Sequence, residues 1–174
     1  KISGSERINI SYYDSLKNET AKNWVIQSIS KFKKIDTVIH CAGIFDDVGI
    51  LLDDESQKRV NRLLDVNLMG PWILNRETWE YLSKSQNGRI IVLVSMSGKR
   101  SKSNLAGYSA SKFALMGLCQ TLRNEGWKEG IRVTVICPGW VNTDMAKNVR
   151  KLEKELMTQP EDISSIISNL IGLP

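Results

Sequence analysis

The stretch Arg89-Ile90-Ile91-Val92-Leu93-Val94-Ser95 indicates the fold of this 174-residue chain. Its apolar run follows the turn-forming pair Asn87-Gly88 and ends at a serine. A short continuous run of this kind is typical of a strand buried on both faces, as in a parallel sheet. The run is far shorter than the roughly 20 apolar residues that a membrane-spanning helix needs.

Similar strands are predicted on both sides of this run, and segments with helical spacing separate them. The predicted strands cover residues 7–10, 37–40 and 131–137. The predicted helices cover residues 15–33, 55–82, 107–127 and 162–170, and Thr158 and Glu161 form the capping box of the last one. This alternation predicts an α/β fold with a doubly wound parallel sheet, in a single domain over residues 1–174.

Composition and charge exclude several classes of protein. Hydrophobic residues make up 41% of the chain and charged residues 25%, which excludes a disordered or collagenous chain. The formal net charge is +5, but the basic residues form no concentrated stripe, so no nucleic-acid partner is expected. Cys41, Cys119 and Cys137 have no CxxC spacing, and no basic and apolar leader opens the sequence. A cytoplasmic protein with reduced thiols and no membrane partner is therefore expected.

The sharpest chemical motif is Tyr108-Ser109-Ala110-Ser111-Lys112. At helical spacing Tyr108 and Lys112 lie one turn apart on one face, so the ammonium lies near the phenol. A free phenol has a pKa near 10, and a fixed positive charge nearby would lower it toward the range useful for proton transfer. Alone, the motif is common and is also typical of an ordinary surface pair on a helix.

Further residues of interest follow the predicted strands. Ser95 lies at the carboxyl end of its strand, and ligands of open α/β sheets bind at that edge. His40-Cys41-Ala42-Gly43 and Cys137-Pro138-Gly139 end two other strands, with glycines where backbone can approach a flat ligand closely. Asn67 is polar within an apolar helical stretch, where a helix irregularity before Pro71 is the alternative explanation.

Together, these segments resemble the short-chain dehydrogenase/reductase family. The matches are His40-Cys41-Ala42-Gly43 for N-N-A-G, Val66–Gly70 for the N-x-x-G motif, Ser95 thirteen positions before Tyr108, Tyr108–Lys112 for Y-x-x-x-K, and Pro138–Thr143 for P-G-x-x-x-T. The resemblance implies a Rossmann-type sheet with strand order 3-2-1-4-5-6. In that order residues 7–10 would form the third strand and residues 37–40 the fourth.

The resemblance also implies roles for individual residues in an NAD(P)-dependent oxidoreductase that acts between a carbonyl and a secondary alcohol. Tyr108 would be the general acid or base, and Lys112 would lower its pKa and bind the nicotinamide ribose. Ser95 would polarise the substrate oxygen, and Asn67 would hold a helix kink and a water that leads to Lys112. The residues implied to border the cofactor, NADP or NAD, are Asn9, Ile10, Cys41, Ala42, Gly43, Tyr108, Lys112, Pro138, Gly139, Val141 and Thr143. No metal is expected.

Two features depart from the family pattern. His40 and Cys41 replace the two asparagines of N-N-A-G, so a side-chain hydrogen bond is lost. The glycine-rich turn T-G-x-x-x-G-x-G does not occur, so no helix N-terminus is offered to the pyrophosphate. We expect a partial sequence that lacks the first two strands. The alternative is a non-catalytic or truncated relative that acts as a dinucleotide-binding or oligomerisation module. The missing turn favours this alternative, and the intact Ser95, Tyr108 and Lys112 argue against it.

The predicted helix over residues 107–127 is apolar on nearly all sides, which is typical of a helix buried on two faces. Because members of the family pair this helix and the preceding one across a two-fold axis, a homodimer or homotetramer is expected. The substrate is expected to be a small-molecule carbonyl or alcohol. Trp140, Met145 and the segment 146–157 are expected to line its pocket.

Overall fold

The computed structural model describes residues 7–147, 149 and 152–173. The helices are α1 (Asn18–Phe32), α2 (Asp54–Leu64), α3 (Gly70–Ser83), α4 (Ala106–Gly126) and α5 (Pro160–Ile171), with a π-helical segment (Asp65–Met69) between α2 and α3. The strands are β1 (Thr37–His40), β2 (Arg89–Leu93) and β3 (Arg132–Ile136). Within the described ranges, no helix has the length and apolarity needed to cross a lipid bilayer.

The three strands form one parallel sheet in the order β1-β2-β3, which confirms the predicted fold class. Ile91 in the central strand lies between Ile39 of β1 and Thr134 of β3. The pairing of β2 with β3 continues past the strand ends, because Met96 N–H donates to the Pro138 carbonyl at 3.0 Å. The carboxyl ends of all three strands therefore lie at one edge of the sheet.

The hydrophobic core lies between one face of the sheet and the helices α1, α3 and α4. Alternate strand residues point to this face, including Val38, Ile90 and Val92. Helix residues complete the core, including Ala21, Val25, Leu74, Leu82, Leu115, Leu118, Cys119 and Leu122. The opposite face carries α5, whose Ile163, Ile167 and Ile171 border the same cavity as Ile39 and Leu93.

Helix α5 crosses this second face in the direction opposite to the strands. Just before its start, Thr158 N–H donates to the Trp140 carbonyl at 3.0 Å, at the carboxyl edge of the sheet. Just after its end, the Arg89 guanidinium donates to the Leu173 carbonyl, at the start of β2. Together, these contacts attach one end of the helix near the carboxyl ends of the strands and the other end near their amino ends.

Residues 7–10 do not form the predicted strand. Ile10 is 69% exposed, and the carbonyl of Ile8 accepts a hydrogen bond from Lys31 Nζ at 2.7 Å. A strand is stabilised by its neighbours, and in the described part of the chain no strand lies beside this segment. The alternation of Arg-Ile-Asn-Ile was therefore not sufficient to indicate a strand.

The cap of the last helix lies one residue later than predicted. Asp162, not Glu161, accepts the hydrogen bond from the backbone N–H of the capping residue Gln159, at 3.0 Å. Thr158 cannot take the capping position because it pairs with Val141 in an isolated β-bridge. The helix begins at Pro160, a favourable first position because proline has no N–H to leave unpaired.

Candidate active site

A cavity of about 820 Å³ lies at the carboxyl edge of the sheet. This is the edge at which open α/β sheets bind ligands. Most of the predicted site residues line this cavity: Cys41, Gly43, Ser95, Tyr108, Lys112, Pro138, Gly139, Val141 and Thr143. The pocket residues Trp140, Met145 and Ala146 line it as well. Of the predicted pocket segment 146–157, residues 147, 149 and 152–157 do not line it, and residues 148, 150 and 151 lie outside the described residues.

Asn67 lies beside the cavity and connects two of its walls. Its Oδ1 accepts from Ile44 N–H at 2.9 Å, and its Nδ2 donates to the Ile44 carbonyl and to Ser111 Oγ, both at 3.0 Å. Ser111 Oγ in turn donates to the Tyr108 carbonyl at 2.7 Å. The fully buried amide therefore holds the loop after β1 against the first turns of α4.

The π-helical segment positions Asn67 for these contacts. Pro71 has no N–H, so it cannot donate to the carbonyl of Asn67, four residues earlier. The helix widens at this point, and Gly70 N–H donates to Asp65, five residues earlier. Single π turns inside helices frequently occur at functional sites. The helix irregularity before Pro71 and the polar contacts of Asn67 thus occur together.

Tyr108 lies in the first turn of α4, and its buried side chain reaches the cavity beside Ser95. Burial raises the pKa of the Tyr108 phenol, and the nearby Ser95 hydroxyl opposes this rise. The Ser95 oxygen accepts a hydrogen bond from Ser97 N–H at 3.0 Å, which fixes its position after β2. The direction of the shift differs from the lowering predicted from Lys112, because helical spacing does not reveal how far the phenol is desolvated.

Lys112 is buried one turn after Tyr108, and its Nζ lies 5.8 Å from the centre of the phenol ring. Desolvation lowers the pKa of Lys112 to about 8, so most of the amine is protonated at neutral pH. In the part of the chain that the structure describes, Nζ has no hydrogen-bond acceptor. A buried ammonium without an acceptor that borders a cavity is suited to bind a hydroxyl group of a ligand.

Gly43 allows the loop after β1 to approach both polar side chains. A Cβ atom at this position would lie 3.3 Å from Asn67 Oδ1 and 3.4 Å from Lys112 Nζ. The first distance is tighter than most contacts of a real Cβ atom, so a larger residue would require Asn67 to move by a few tenths of an ångström. The glycine predicted from the sequence therefore has a packing reason in the structure.

Three of the predicted cofactor residues do not line this cavity. Asn9 donates to Ser11 Oγ at 3.0 Å, and Ile10 is exposed. Ala42 borders a smaller pocket of about 190 Å³ together with His40. The structure therefore does not bring Asn9, Ile10 and Ala42 together with Tyr108 and Lys112.

Sequence reasoning missed two residues of the site. The Phe45 ring packs edge-on against Tyr108, with centroids 4.9 Å apart, and its centroid lies 6.0 Å from that of Trp140. Ser111 is the buried link between Asn67 and the Tyr108 backbone. Ser111 could have been predicted, because it follows Tyr108 by three residues on the same helix. Nothing in the sequence around Phe45 indicates that its ring packs against Tyr108.

Comparison with known proteins agrees with this fold. The short chain dehydrogenase family model matches residues 2–154. An agropine synthesis reductase of Rhizobium rhizogenes is 33% identical over 170 residues, which are 98% of this chain and 39% of that protein. A 3-oxoacyl-(acyl-carrier-protein) reductase of Rickettsia felis is 32% identical over 152 residues, which are 82% of this chain and 62% of that protein. A short chain dehydrogenase of Escherichia coli CFT073, solved in complex with NADPH, has a TM-score of 0.82 and 26% identity, over 92% of this chain and 68% of that one.

The chain thus spans less than two thirds of the length of both curated relatives. The family match nevertheless covers all three strands and the helices α1 to α4. The parallel sheet agrees with the Rossmann-type fold of the solved relative. The chain therefore belongs to the short chain dehydrogenase family.

Proposed function

We propose that the protein is an NAD(P)-dependent oxidoreductase that interconverts a small-molecule carbonyl and a secondary alcohol. The observation that carries this proposal is that Ser95, Tyr108 and Lys112 border one cavity at the carboxyl edge of the sheet. The names of the two curated relatives, both reductases, and the NADPH in the solved relative support it.

The residues of the cavity fit the nicotinamide end of such a cofactor. The unpaired Lys112 ammonium would bind a ribose hydroxyl, and Val141 and Thr143 would contact the carboxamide. Gly43 leaves room for close approach of the ligand to the backbone. When bound, the cofactor would supply or accept the hydride. Whether NAD or NADP binds is left open by these residues.

The protein residues would move the proton. Because burial raises the pKa of Tyr108, its phenol is protonated at neutral pH and can donate to the substrate oxygen as a carbonyl is reduced. The Ser95 hydroxyl would orient and polarise that oxygen. As the proton leaves, the Lys112 ammonium would stabilise the negative charge that develops on the phenol oxygen. Asn67 would position Tyr108 through Ser111.

The proposal includes two further features. A homodimer or homotetramer is expected, with α3 and α4 at the interface. A cytoplasmic location is expected as well, in agreement with the three free cysteines.

The decisive experiment replaces Tyr108 by Phe, which removes the proton donor and keeps the ring packed against Phe45. We expect kcat for carbonyl reduction to fall by about 10²- to 10⁴-fold, the usual contribution of a general acid. Oxidation of NADPH and NADH is followed by absorbance with a panel of aldehydes and ketones, on the full-length protein. Tyr12→Phe is the matched control because its side chain is exposed and lies outside the cavity.

Full turnover by the Tyr108→Phe variant would contradict the mechanism. A wild-type protein that binds NADPH or NADH but reduces no compound of the panel would instead support the non-catalytic alternative. Cofactor binding is measured separately by fluorescence titration, so the two results can be distinguished.

A further inference from the structure

The charged side chains that border the cavity are all cationic. Among the described residues they are Arg100, Lys102 and Lys112, and no described carboxylate lines the cavity. Lys112 serves the proposed mechanism, but Arg100 and Lys102 have no part in it. Both are exposed, and neither takes part in an ion pair within the described ranges. An uncompensated positive rim attracts anions into a cavity.

Two acidic residues beside the cavity wall do not offset this charge. Asp46 and Asp47 follow the wall residue Phe45, but Arg59 of α2 binds both. Arg59 Nε donates to Asp46 Oδ2 at 2.8 Å, and its Nη2 contacts Asp46 Oδ1 and lies 3.3 Å from Asp47 Oδ1. The guanidinium holds the pKa of Asp46 below its ordinary value, so this carboxylate is ionised and already paired.

The segment that carries the two cations is tied to the first turn of α4, which also carries Tyr108. Ser101, between them, donates from its hydroxyl to Ser109 Oγ at 3.0 Å, and Ser109 directly follows Tyr108. By contrast, Val141 and Thr143, implied to contact the nicotinamide, approach the cavity from the end of β3. Arg100 and Lys102 are therefore placed to meet the compound that reacts at Tyr108.

We propose that Arg100 and Lys102 select a substrate with an anionic oxygen group, such as a carboxylate or a phosphate. The rest of the cavity wall is mostly apolar and includes Phe45, Met145 and Ile167. The substrate would therefore be an oxo acid or oxo alkyl phosphate with an apolar spacer between the carbonyl and the anionic group. This inference rests on the proposed function of the same cavity and adds a substrate class to it.

The experiment compares each anionic substrate with its neutral counterpart. Straight-chain oxo carboxylates of increasing length are assayed beside their methyl esters, and oxo alkyl phosphates are assayed in parallel. The proteins are the wild type, the double variant Arg100→Gln/Lys102→Gln, and the control Lys99→Gln. Lys99 is a matched control because it is exposed in the same segment but does not line the cavity.

We expect the wild type to have a higher kcat/KM for the acid or the phosphate than for the ester. In the double variant the ratio of the two values should fall by about tenfold, the typical effect of losing hydrogen bonds to a charged group. In Lys99→Gln the ratio should stay as in the wild type. Added salt should reduce the preference of the wild type because the cations lie at an exposed rim.

Equilibrium binding of the same compounds, measured by calorimetry, separates this inference from the proposed function. Turnover of the esters with no preference for the anions would overturn the inference and leave the proposed function standing. A preference that survives in the double variant would also overturn it, as would no detectable binding of any anionic compound. Anion binding that depends on Arg100 and Lys102, without turnover of any compound, would contradict the proposed function and with it the substrate role inferred here, and would leave only an anion-binding site.

Discussion

Asn67 shows how one buried side chain joins the two walls of the site. Its three hydrogen bonds go to the backbone of the half-buried Ile44 and to the buried hydroxyl of Ser111. The amide matches this task because it offers an acceptor and two donors on one planar group. Aspartate lacks the donors, and leucine lacks both functions. The geometry of the site therefore depends on an asparagine at this position.

We expect Asn67→Ala to lower the free energy of unfolding by about 2 kcal/mol, because the backbone of Ile44 and the buried hydroxyl of Ser111 lose their partner. Urea unfolding measures this difference. Asn61→Ala is the control, since Asn61 is exposed on α2, and its effect should stay within about 0.5 kcal/mol. Equal effects of the two substitutions would contradict the role assigned to Asn67.

His40 predicts a pH dependence of stability. It is buried at the end of β1, and its Nε2 lies 2.9 Å from Asn75 Oδ1, within hydrogen-bond distance. Burial lowers the pKa of His40 below the ordinary 6.5, against the opposing hydrogen bond to Asn75. Below about pH 6.5, His40 becomes protonated in the unfolded chain, whereas in the folded chain it stays neutral down to a lower pH. Stability should therefore fall as the pH decreases from about 6.5, by at most about 1.4 kcal/mol for each pH unit.

The measurement is urea unfolding between mildly acidic and neutral pH. His40 is the single histidine of the chain, so a titration in this range has few other sources. The variant His40→Gln keeps a neutral hydrogen-bonding group and should give a flatter profile. A wild-type profile as flat as that of the variant would disprove this origin of the pH dependence.

The sequence predicted that three reactive side chains lie close together, but it did not predict how deeply they are buried. Ser95, Tyr108 and Lys112 could be predicted because strand ends and helical spacing bring them to one edge of the sheet. The raised pKa of Tyr108 depends on burial by residues such as Phe45, which the loop sequence does not reveal. Local spacing therefore indicates which residues are near each other, whereas the electrostatics depend on the packed fold.

At the scale of elements, prediction succeeded where periodicity extends over several turns or where an apolar run is continuous. The long helix α4 and the central strand β2 are examples. It failed at residues 7–10, where a short alternating pattern has no neighbouring strand in the described ranges. A strand depends on what lies beside it, and a sequence window of four residues does not contain this information.

The cap of α5 allows a test at the same scale. Asp162→Ala removes the acceptor for Gln159 N–H and should destabilise the protein by about 1 kcal/mol. Glu161→Ala is the matched control, because it removes a negative charge from the same first turn but no capping bond. Thermal and urea unfolding should show a larger loss for Asp162→Ala. If the two variants lose the same stability, the helix dipole and not the cap accounts for the effect.

For the whole molecule, the sheet order followed from the family resemblance, and the structure confirms it for the three strands present. The cavity forms because loops from β1, β2 and β3 converge at one edge, while α5 covers part of the second face. The single domain over residues 1–174 stays a prediction. The resemblance also predicts that subunits associate, with the helix over residues 107–127 and the helix before it at the interface.

The exposed apolar residues of α3 and α4 suggest where subunits would meet. Trp72 of α3 is 51% exposed and Phe113 of α4 is 45% exposed, although both are large apolar side chains. Full burial of one such side chain contributes about 1.5–3 kcal/mol. We therefore expect the double variant Trp72→Glu/Phe113→Glu to weaken self-association by at least about 100-fold. Sedimentation velocity at micromolar concentration would measure a dimer or tetramer for the wild type and a monomer for the variant.

The control for this prediction is Leu51→Glu, which adds the same charge at a side chain that is 91% exposed, in the loop before α2. That variant should sediment like the wild type, because the predicted interface lies on α3 and α4. A wild-type monomer at micromolar concentration would contradict the predicted assembly. An oligomer that persists in the Trp72→Glu/Phe113→Glu variant would place the interface on another surface, because two buried carboxylates without partners would not be tolerated between packed helices.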